Sequence, residues 1–368
     1  MAYERGQNGG TDIFAAYIRL IGGLAQRLDY DEQRPLTLME VCGTHTMSIY
    51  RWGIKRLLPD NIRLISGPGC PVCVTPEQTL AQALALSERP ELTLASFGDM
   101  LRVPLGGRSL LSARQQGADI RIVLSPLDAM QIAIDEPARQ VVFLAVGFET
   151  TAPLTAAVLE QARERHIDNF SVIAAHKTMP PVIRALFSEG TAVDGLICPG
   201  HVAAITGARA FDFVASELHK PSAVAGFEPA DIAKAIYALV KQAAQRRCVN
   251  ENCYRRAVSE AGNVHAQALL RRVFEPAAAE WRGLGSFADS GLTLSAPYAD
   301  FDALARFAPS YETPPAQTAC RCGDVLRGRI SAGDCPLFGG VCTPQQPQGA
   351  CMVSAEGGCA AAYKYRER

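Results

Sequence analysis

No charge of one sign dominates this chain of 368 residues: Lys and Arg number 36 against 37 Asp and Glu, a formal charge of −1. Such a balance offers no global attraction for nucleic acid or for an anionic membrane, and neither is expected as a partner. Long apolar runs are also absent. The longest, Val141 to Phe148, falls far short of the ~18 residues that span a bilayer. The opening stretch, Met1 to Thr11, is polar and Gly-rich without an apolar signal core, so the expected location is the cytoplasm. There is no G-x-x-x-x-G-K-S/T loop to cradle a nucleotide triphosphate, and no C-x3-C-x2-C of the usual radical-SAM kind. A zinc ribbon is disfavoured, because one C-x-x-C occurs and no second one completes it; half of a zinc site or two inert buried thiols remain the alternatives to redox chemistry for that pair.

What the chain has instead is cysteine. Twelve are present, at 42, 70, 73, 198, 248, 253, 320, 322, 335, 342, 351 and 359, and six of them fall in the last 49 residues. A chain long enough for two to three domains buries a sizeable core without disulfide staples. Without a secretion signal, metal or redox chemistry is the stronger reading of these thiols.

Short apolar runs alternate with stretches of helical spacing. An amphipathic segment, Ile13 to Leu28, comes first. The runs are Leu36–Val41, Ile62–Ile65, Leu92–Ser96, Ile120–Leu124, Val141–Val146, Ser171–Ala174, Gly195–Ile197 and Ala223–Ala225. Helical patterns follow at Met47–Leu58, Pro76–Ser87, Pro153–Arg165 and Pro229–Arg246. This alternation implies βαβ units, hence α/β architecture with parallel sheets covered by helices. The expected layout is an N-terminal helical segment (1–35), two successive Rossmann-like α/β domains (36–140 and 141–247) and a helical, loop-rich C-terminal domain (248–368). An eight-stranded barrel is the alternative, disfavoured because the turn motifs form two clusters instead of one repeating pitch.

In open α/β sheets ligands bind beyond the carboxyl ends of the strands. Those positions carry Cys42-Gly43-Thr44-His45, Gly67-Pro68-Gly69-Cys70-Pro71-Val72-Cys73, Gly147-Phe148-Glu149-Thr150-Thr151, His176-Lys177 and Cys198-Pro199-Gly200-His201. Cys70 and Cys73 stand just ahead of a helix, where backbone amides lower a thiol pKa, and their spacing suits a reversible disulfide. Cys42 ends the first strand and reads either as a small core residue or as a thiolate sharing a neighbourhood with Cys70 and Cys73, able to ligate a soft metal such as iron. Glu149 and His201 are acid–base candidates, with capping or turn roles as the alternative, and His176-Lys177 is a candidate anion site. Cys248 and Cys253, with four residues between them on an expected helix, read as structural.

The C-terminal cysteines form the densest signal. Cys320, Cys335, Cys342 and Cys359 are separated by 14, 6 and 16 residues, with Cys322 and Cys351 beside them. Thiolates drawn from separated loops suit a [4Fe–4S] cluster better than a zinc knuckle, and such a cluster would order a segment poor in apolar periodicity. Spacing leaves open which four of the six are ligands. From the residues alone three functions stay open: assembly of a metal centre, a stand-alone iron–sulfur disulfide oxidoreductase of the ferredoxin–thioredoxin-reductase type, or, more blandly, a zinc-stapled interaction module.

Taken together, Glu40-Val41-Cys42-Gly43-Thr44-His45-Thr46, Gly67 through Pro76, Gly147 through Pro153, Cys198-Pro199-Gly200-His201 and the tail from Cys320 to Cys359 resemble the hydrogenase maturation family HypD over nearly the whole chain. The resemblance implies a scaffold on which the Fe(CN)2CO centre of [NiFe]-hydrogenase is built, with a HypC-family chaperone as partner. Cyanide would come from HypE with HypF, and the hydrogenase large subunit would be the indirect recipient. It further implies Cys42 as the ligand of that iron, Cys70 and Cys73 as the redox pair, and Cys320, Cys335, Cys342 and Cys359 as the holders of a [4Fe–4S] cluster. His45 belongs to the same motif as Cys42.

Overall fold

The computed structural model describes residues 2–188, 191–312 and 319–365. All eight apolar runs form strands: β1 (Leu36–Glu40), β2 (Ile62–Ser66), β3 (Leu92–Ser96), β4 (Ile120–Ile122), β5 (Gln140–Gly147), β6 (Phe170–His176), β7 (Gly195–Pro199) and β8 (Ser222–Ala225). Three more strands follow, β9 (Asn250–Asn252), β10 (Phe274–Trp281) and β11 (Gly285–Leu294). Two sheets are parallel throughout, in the orders β2-β1-β7-β8-β9 and β4-β3-β5-β6, and β10 and β11 form an antiparallel hairpin. The fold is therefore α/β, as its alternating pattern implies.

The division of the chain between the sheets differs from the expected break near 140. β3 pairs with β5, Leu92 opposite Gln140, while β1 pairs with β7, Leu38 opposite Gly195. One sheet thus takes its strands from both ends of the α/β region, and the other is inserted between β2 and β7. Runs on either side of residue 140 look alike in composition, and strand pairing is a tertiary choice that composition does not carry. β9 corrects a second expectation, since Cys248 and Cys253 flank a short strand instead of lying on a helix.

Side-chain alternation splits each strand between two cores. In β5, Val141, Phe143 and Ala145 face the outer core of the inserted sheet, whereas Val142, Leu144 and Val146 face the seam between the sheets. Leu36 and Leu38 pack outward with Ile21 and Ile236, under the N-terminal helix Ala2–Ala25 and the helix Pro229–Ala244. Met39 and Val41 face the seam, where Val325, Leu326, Cys351, Met352 and Cys359 also lie. The C-terminal segment therefore completes the core between the sheets. Main-chain carbonyls anchor it: Arg102 Nη2 donates to the Val353 carbonyl (3.0 Å) and Arg327 Nη2 to that of Leu284 (2.7 Å).

The hairpin is the main element missing from the sequence-based expectation. Its first strand, Phe274-Glu275-Pro276-Ala277-Ala278-Ala279-Glu280-Trp281, is rich in good helix formers and mostly exposed. Tertiary contacts settle it: Trp281 is fully buried, stacks on Phe148 with ring centroids 5.8 Å apart and donates Nε1–H to Ser290 Oγ at 3.0 Å.

Candidate thiol site

The strand order β2-β1-β7-β8-β9 reverses between β1 and β7, and in open α/β sheets that switch point is where ligands are held. Cys42 sits there. Val41 alone separates it from β1, and it stands at the N-cap of the helix Gly43–Arg51 without a side-chain cap hydrogen bond, near enough for the main-chain N–H groups of Thr44 and His45 to act on its sulfur. Burial pushes its thiol pKa up to about 12, and Glu356 and Glu40 push the same way, while the helix N–H groups pull against them. Such a thiol is protonated when free and loses its proton when a cation takes its place.

The loop after β2 lies directly on this position. Gly67 N–H donates to the Glu40 carbonyl (2.7 Å) and Gly43 N–H to that of Gly69 (2.9 Å). A Cβ on Gly69 would fall 2.2 Å from the Cys42 nitrogen, so only glycine permits the approach. The next residue, Cys70, caps the helix Pro71–Val74 and is disulfide-bonded to Cys73, Cα to Cα 5.3 Å. Both are buried, at 2% and 0% exposure. Cys42 and the Cys70–Cys73 pair thus share one neighbourhood, built from the ends of adjacent parallel strands.

Behind the disulfide stands the C-terminal segment. Cys73 Sγ lies 3.9 Å from the carbonyl oxygen of Ala350, the residue before Cys351. A string of neighbouring thiols runs on from there: Cys351 interacts with Cys322 and Cys359, and Cys322 with Cys320. Cys335 acts electrostatically on Cys320 and Cys342, as Cys359 does on Cys342. Interaction with Cys320 and Cys351 holds the Cys322 thiol below the usual range, and Arg282 acts in the same direction. All six C-terminal cysteines therefore belong to one constellation. Among the described residues no three His, Cys, Asp or Glu side chains converge on a single ion-sized point. A cluster asks for something else, one thiolate per iron around its periphery, and this all-sulfur donor set fits it.

The remaining candidates lie further out. His45 is buried, its Nε2 is 2.9 Å from the Gly226 carbonyl oxygen, and burial lowers its pKa to about 4; what it offers Cys42 is its main-chain N–H. His201 is exposed and stacks on Phe227 (3.7 Å), whose ring also stacks on His45 (4.9 Å), so the two histidines share one aromatic ring. Glu149 follows β5 of the inserted sheet: its Oε1 accepts from Met179 N–H (2.8 Å), its Oε2 is buried without a partner among the described residues, and burial raises its pKa to about 7. Lys177 is buried under the electrostatic influence of Glu280, and His176 is buried against Phe274 (5.7 Å), an arrangement without the open face an anion site needs. Cys253 is a core residue, and Cys248 is exposed.

Sequence reasoning missed several residues around Cys42. The carboxylate of Glu40, 1% exposed, accepts from Cys42 N–H (3.0 Å) and from the hydroxyls of Thr46 and Ser66. Glu356 arrives from the far end of the chain, accepts from Thr44 Oγ1 (2.7 Å) and covers Gly43 so closely that a Cβ there would lie 2.4 Å from its own. A charged residue closing a strand that is otherwise apolar was the available signal for Glu40; nothing local marks Glu356.

The HypD family model, described as "Hydrogenase formation hypA family", matches residues 18–366. This chain belongs to the HypD family. It is 44% identical to the hydrogenase maturation factor HypD of Escherichia coli K12 over 346 residues, covering 94% of this chain and 93% of that protein. It is 46% identical to HypD of Azotobacter vinelandii (93% of each chain) and 48% identical to HypD of Rhizobium leguminosarum bv. viciae (91% of this chain, 89% of the relative). A role in hydrogenase maturation follows from family membership. Among the described residues no helix is long and apolar enough to cross a membrane.

Proposed function

We propose that this chain is the scaffold on which the Fe(CN)2CO centre of [NiFe]-hydrogenase is assembled, with Cys42 as its ligand to that iron. The observation that carries the reading is the main-chain contact of Gly69 on Cys42, which sets a buried thiol beside a buried disulfide at a sheet switch point. The iron is cargo. A HypC-family chaperone would share it, HypE with HypF would supply its cyanide, and the hydrogenase large subunit would receive the product. Soft thiolate suits an electron-rich, low-spin iron carrying strong-field cyanide and CO.

The chain's own groups divide the work. The N–H donors of Thr44 and His45 stabilise the Cys42 sulfur once its proton leaves. Opening the Cys70–Cys73 bond breaks one S–S linkage and takes up two electrons and two protons, leaving two thiols next to Cys42. Cys320, Cys335, Cys342 and Cys359 would hold a [4Fe–4S] cluster, which supplies one-electron chemistry when bound. Cys322 and Cys351 interact with this set, and Cys351 lies toward the disulfide, since its neighbour Ala350 meets Cys73. Burial of the disulfide favours an internal redox role over exchange with an external protein substrate, an alternative open from the residues alone.

The test is infrared spectroscopy of the anaerobically purified chain with its HypC-family chaperone. Cyanide and CO stretching bands are expected, and Cys42→Ala is expected to abolish them while leaving the visible absorption of the cluster intact. Bands that persist undiminished in Cys42→Ala would overturn the role given to Cys42, and turnover of a thioredoxin-like substrate by the isolated chain would favour the oxidoreductase.

A further inference from the structure

The turn joining β10 to β11 buries a charge. Arg282 follows Trp281 directly, and its side chain is only 9% exposed. Its N–H donates to the carbonyl of Val74 (2.9 Å), the last residue of the helix that carries Cys73, so its placement is set by main chain. Arg282 is ion-paired with Glu77, Nε to Oε1 3.3 Å, but the contact is too poorly directed for a hydrogen bond. Neither Nε nor Nη2 finds an acceptor among the described residues. The same side chain lines a cavity of about 270 Å3 with Cys320, Cys322, Glu280 and Gly349. Its charge also acts on Cys322.

A buried guanidinium with unmade hydrogen bonds is costly unless an anion compensates it. Glu77 supplies part of that charge but not the missing acceptors. Glu280 lines the same cavity without a hydrogen bond to Nε or Nη2 of Arg282, and the further acceptors there include the sulfurs of Cys320 and Cys322.

We propose that Arg282 is the counter-ion and hydrogen-bond donor of the cluster held by the C-terminal cysteines, and that it sets the reduction potential of that cluster. The inference rests on the assignment of a [4Fe–4S] cluster to these thiols. A thiolate-bound cluster is anionic and each one-electron reduction adds a negative charge, so a guanidinium beside it favours the reduced form. Arg282 is a positioning residue in this sense: it donates to sulfur and takes no electron itself. Its main-chain bond to Val74 places the same residue against the redox helix, so the charge that tunes the cluster also stands at the route toward Cys73.

The experiment uses the full chain, purified without oxygen as wild type, Arg282→Met, Arg282→Lys and Glu77→Gln, with iron and acid-labile sulfide content measured before a potentiometric titration followed by visible absorbance. Arg282→Met is expected to weaken reduction at least tenfold, a shift of about 59 mV to more negative potential for one electron. Arg282→Lys keeps the charge and should restore most of the difference. Glu77→Gln removes the competing carboxylate and should shift the potential the opposite way, and by more in the wild-type background than in Arg282→Met if the carboxylate acts through Arg282. Should Arg282→Met fail to fold by circular dichroism, Arg282→Gln, which lacks the charge but keeps polar donors, is titrated in its place and should show the same negative shift against Arg282→Lys. A fully loaded Arg282→Met protein with wild-type potential overturns the inference and leaves the cluster assignment standing, whereas wild type without iron and sulfide overturns the cluster assignment itself.

Discussion

Gly69→Ala tests the junction on which the whole site depends. The added methyl would lie 2.2 Å from the Cys42 nitrogen, 2.4 Å from its Cα and 2.5 Å from the Val41 carbonyl carbon. Ordinary contact begins near 3.4 Å, so the two loops must part by about 1.2 Å. Every opposing atom is backbone, and no side-chain rotation relieves the clash. Overpacking of this kind costs about 1–3 kcal/mol. Loosening the 2.9 Å hydrogen bond from Gly43 N–H to the Gly69 carbonyl adds about 0.5–1.5 kcal/mol. The expected loss is therefore about 1.5–4.5 kcal/mol, read as a lower urea midpoint at unchanged slope. Gly23→Ala is the control: it lies exposed in the helix Ala2–Ala25 with nothing within 4 Å of its Cβ position, and should gain about 0.5–1 kcal/mol. Under the proposed function, Gly69→Ala also uncouples Cys42 from the disulfide, so hydrogenase maturation should fail even where the chain stays folded. A Gly69→Ala protein as stable as wild type to within about 0.5 kcal/mol would refute the close packing of the two loops.

Two further outcomes follow from the thiols and the buried titratable groups. Alkylation of the metal-free chain in denaturant should label ten cysteines without reductant and twelve after reduction, with Cys248 reacting first in the native protein; mass spectrometry giving twelve labels before reduction would remove the Cys70–Cys73 bond. The second concerns pH. Burial raises Glu149 to about 7, so its contribution to stability is full below the ordinary value of 4.5 and is lost as pH rises through about 7. His45 works the other way: lowered to about 4, it contributes fully above 6.5 and loses that contribution as pH falls toward 4. The two slopes offset between pH 4.5 and 6.5. Removing one of them with Glu149→Gln should make stability climb more steeply with pH, by up to about 1.4 kcal/mol per unit, as measured by urea melts at successive pH values. An unchanged slope would mean that Glu149 ionises normally.

The part of the site legible in the sequence is the part made of short-range pattern. Leu36–Glu40 and Ile62–Ser66 are apolar stretches followed by Cys42 and by Gly67-Pro68-Gly69-Cys70, and a parallel strand exposes the loop at its carboxyl end wherever it sits in the sheet. Glycine spacing marked the turn, and cysteine spacing marked the C-terminal constellation. Less of the outer site could be read this way. His45 and Glu149 stand in motifs as conspicuous as that of Cys42, yet tertiary packing turns the His45 ring toward the Gly226 carbonyl and Glu149 toward the Met179 N–H.

By itself, then, the amino-acid order determined the strands, the turns after them and the inventory of thiols, because backbone preference and side-chain periodicity act over a few residues. Only the tertiary structure decided that β1 lies beside β7, that an Ala-rich stretch becomes a strand under Trp281, and that Glu356 closes over the helix begun by Cys42. These are contacts between residues separated by up to 312 positions, and their energy comes from shared burial, which neither partner displays in its own neighbourhood.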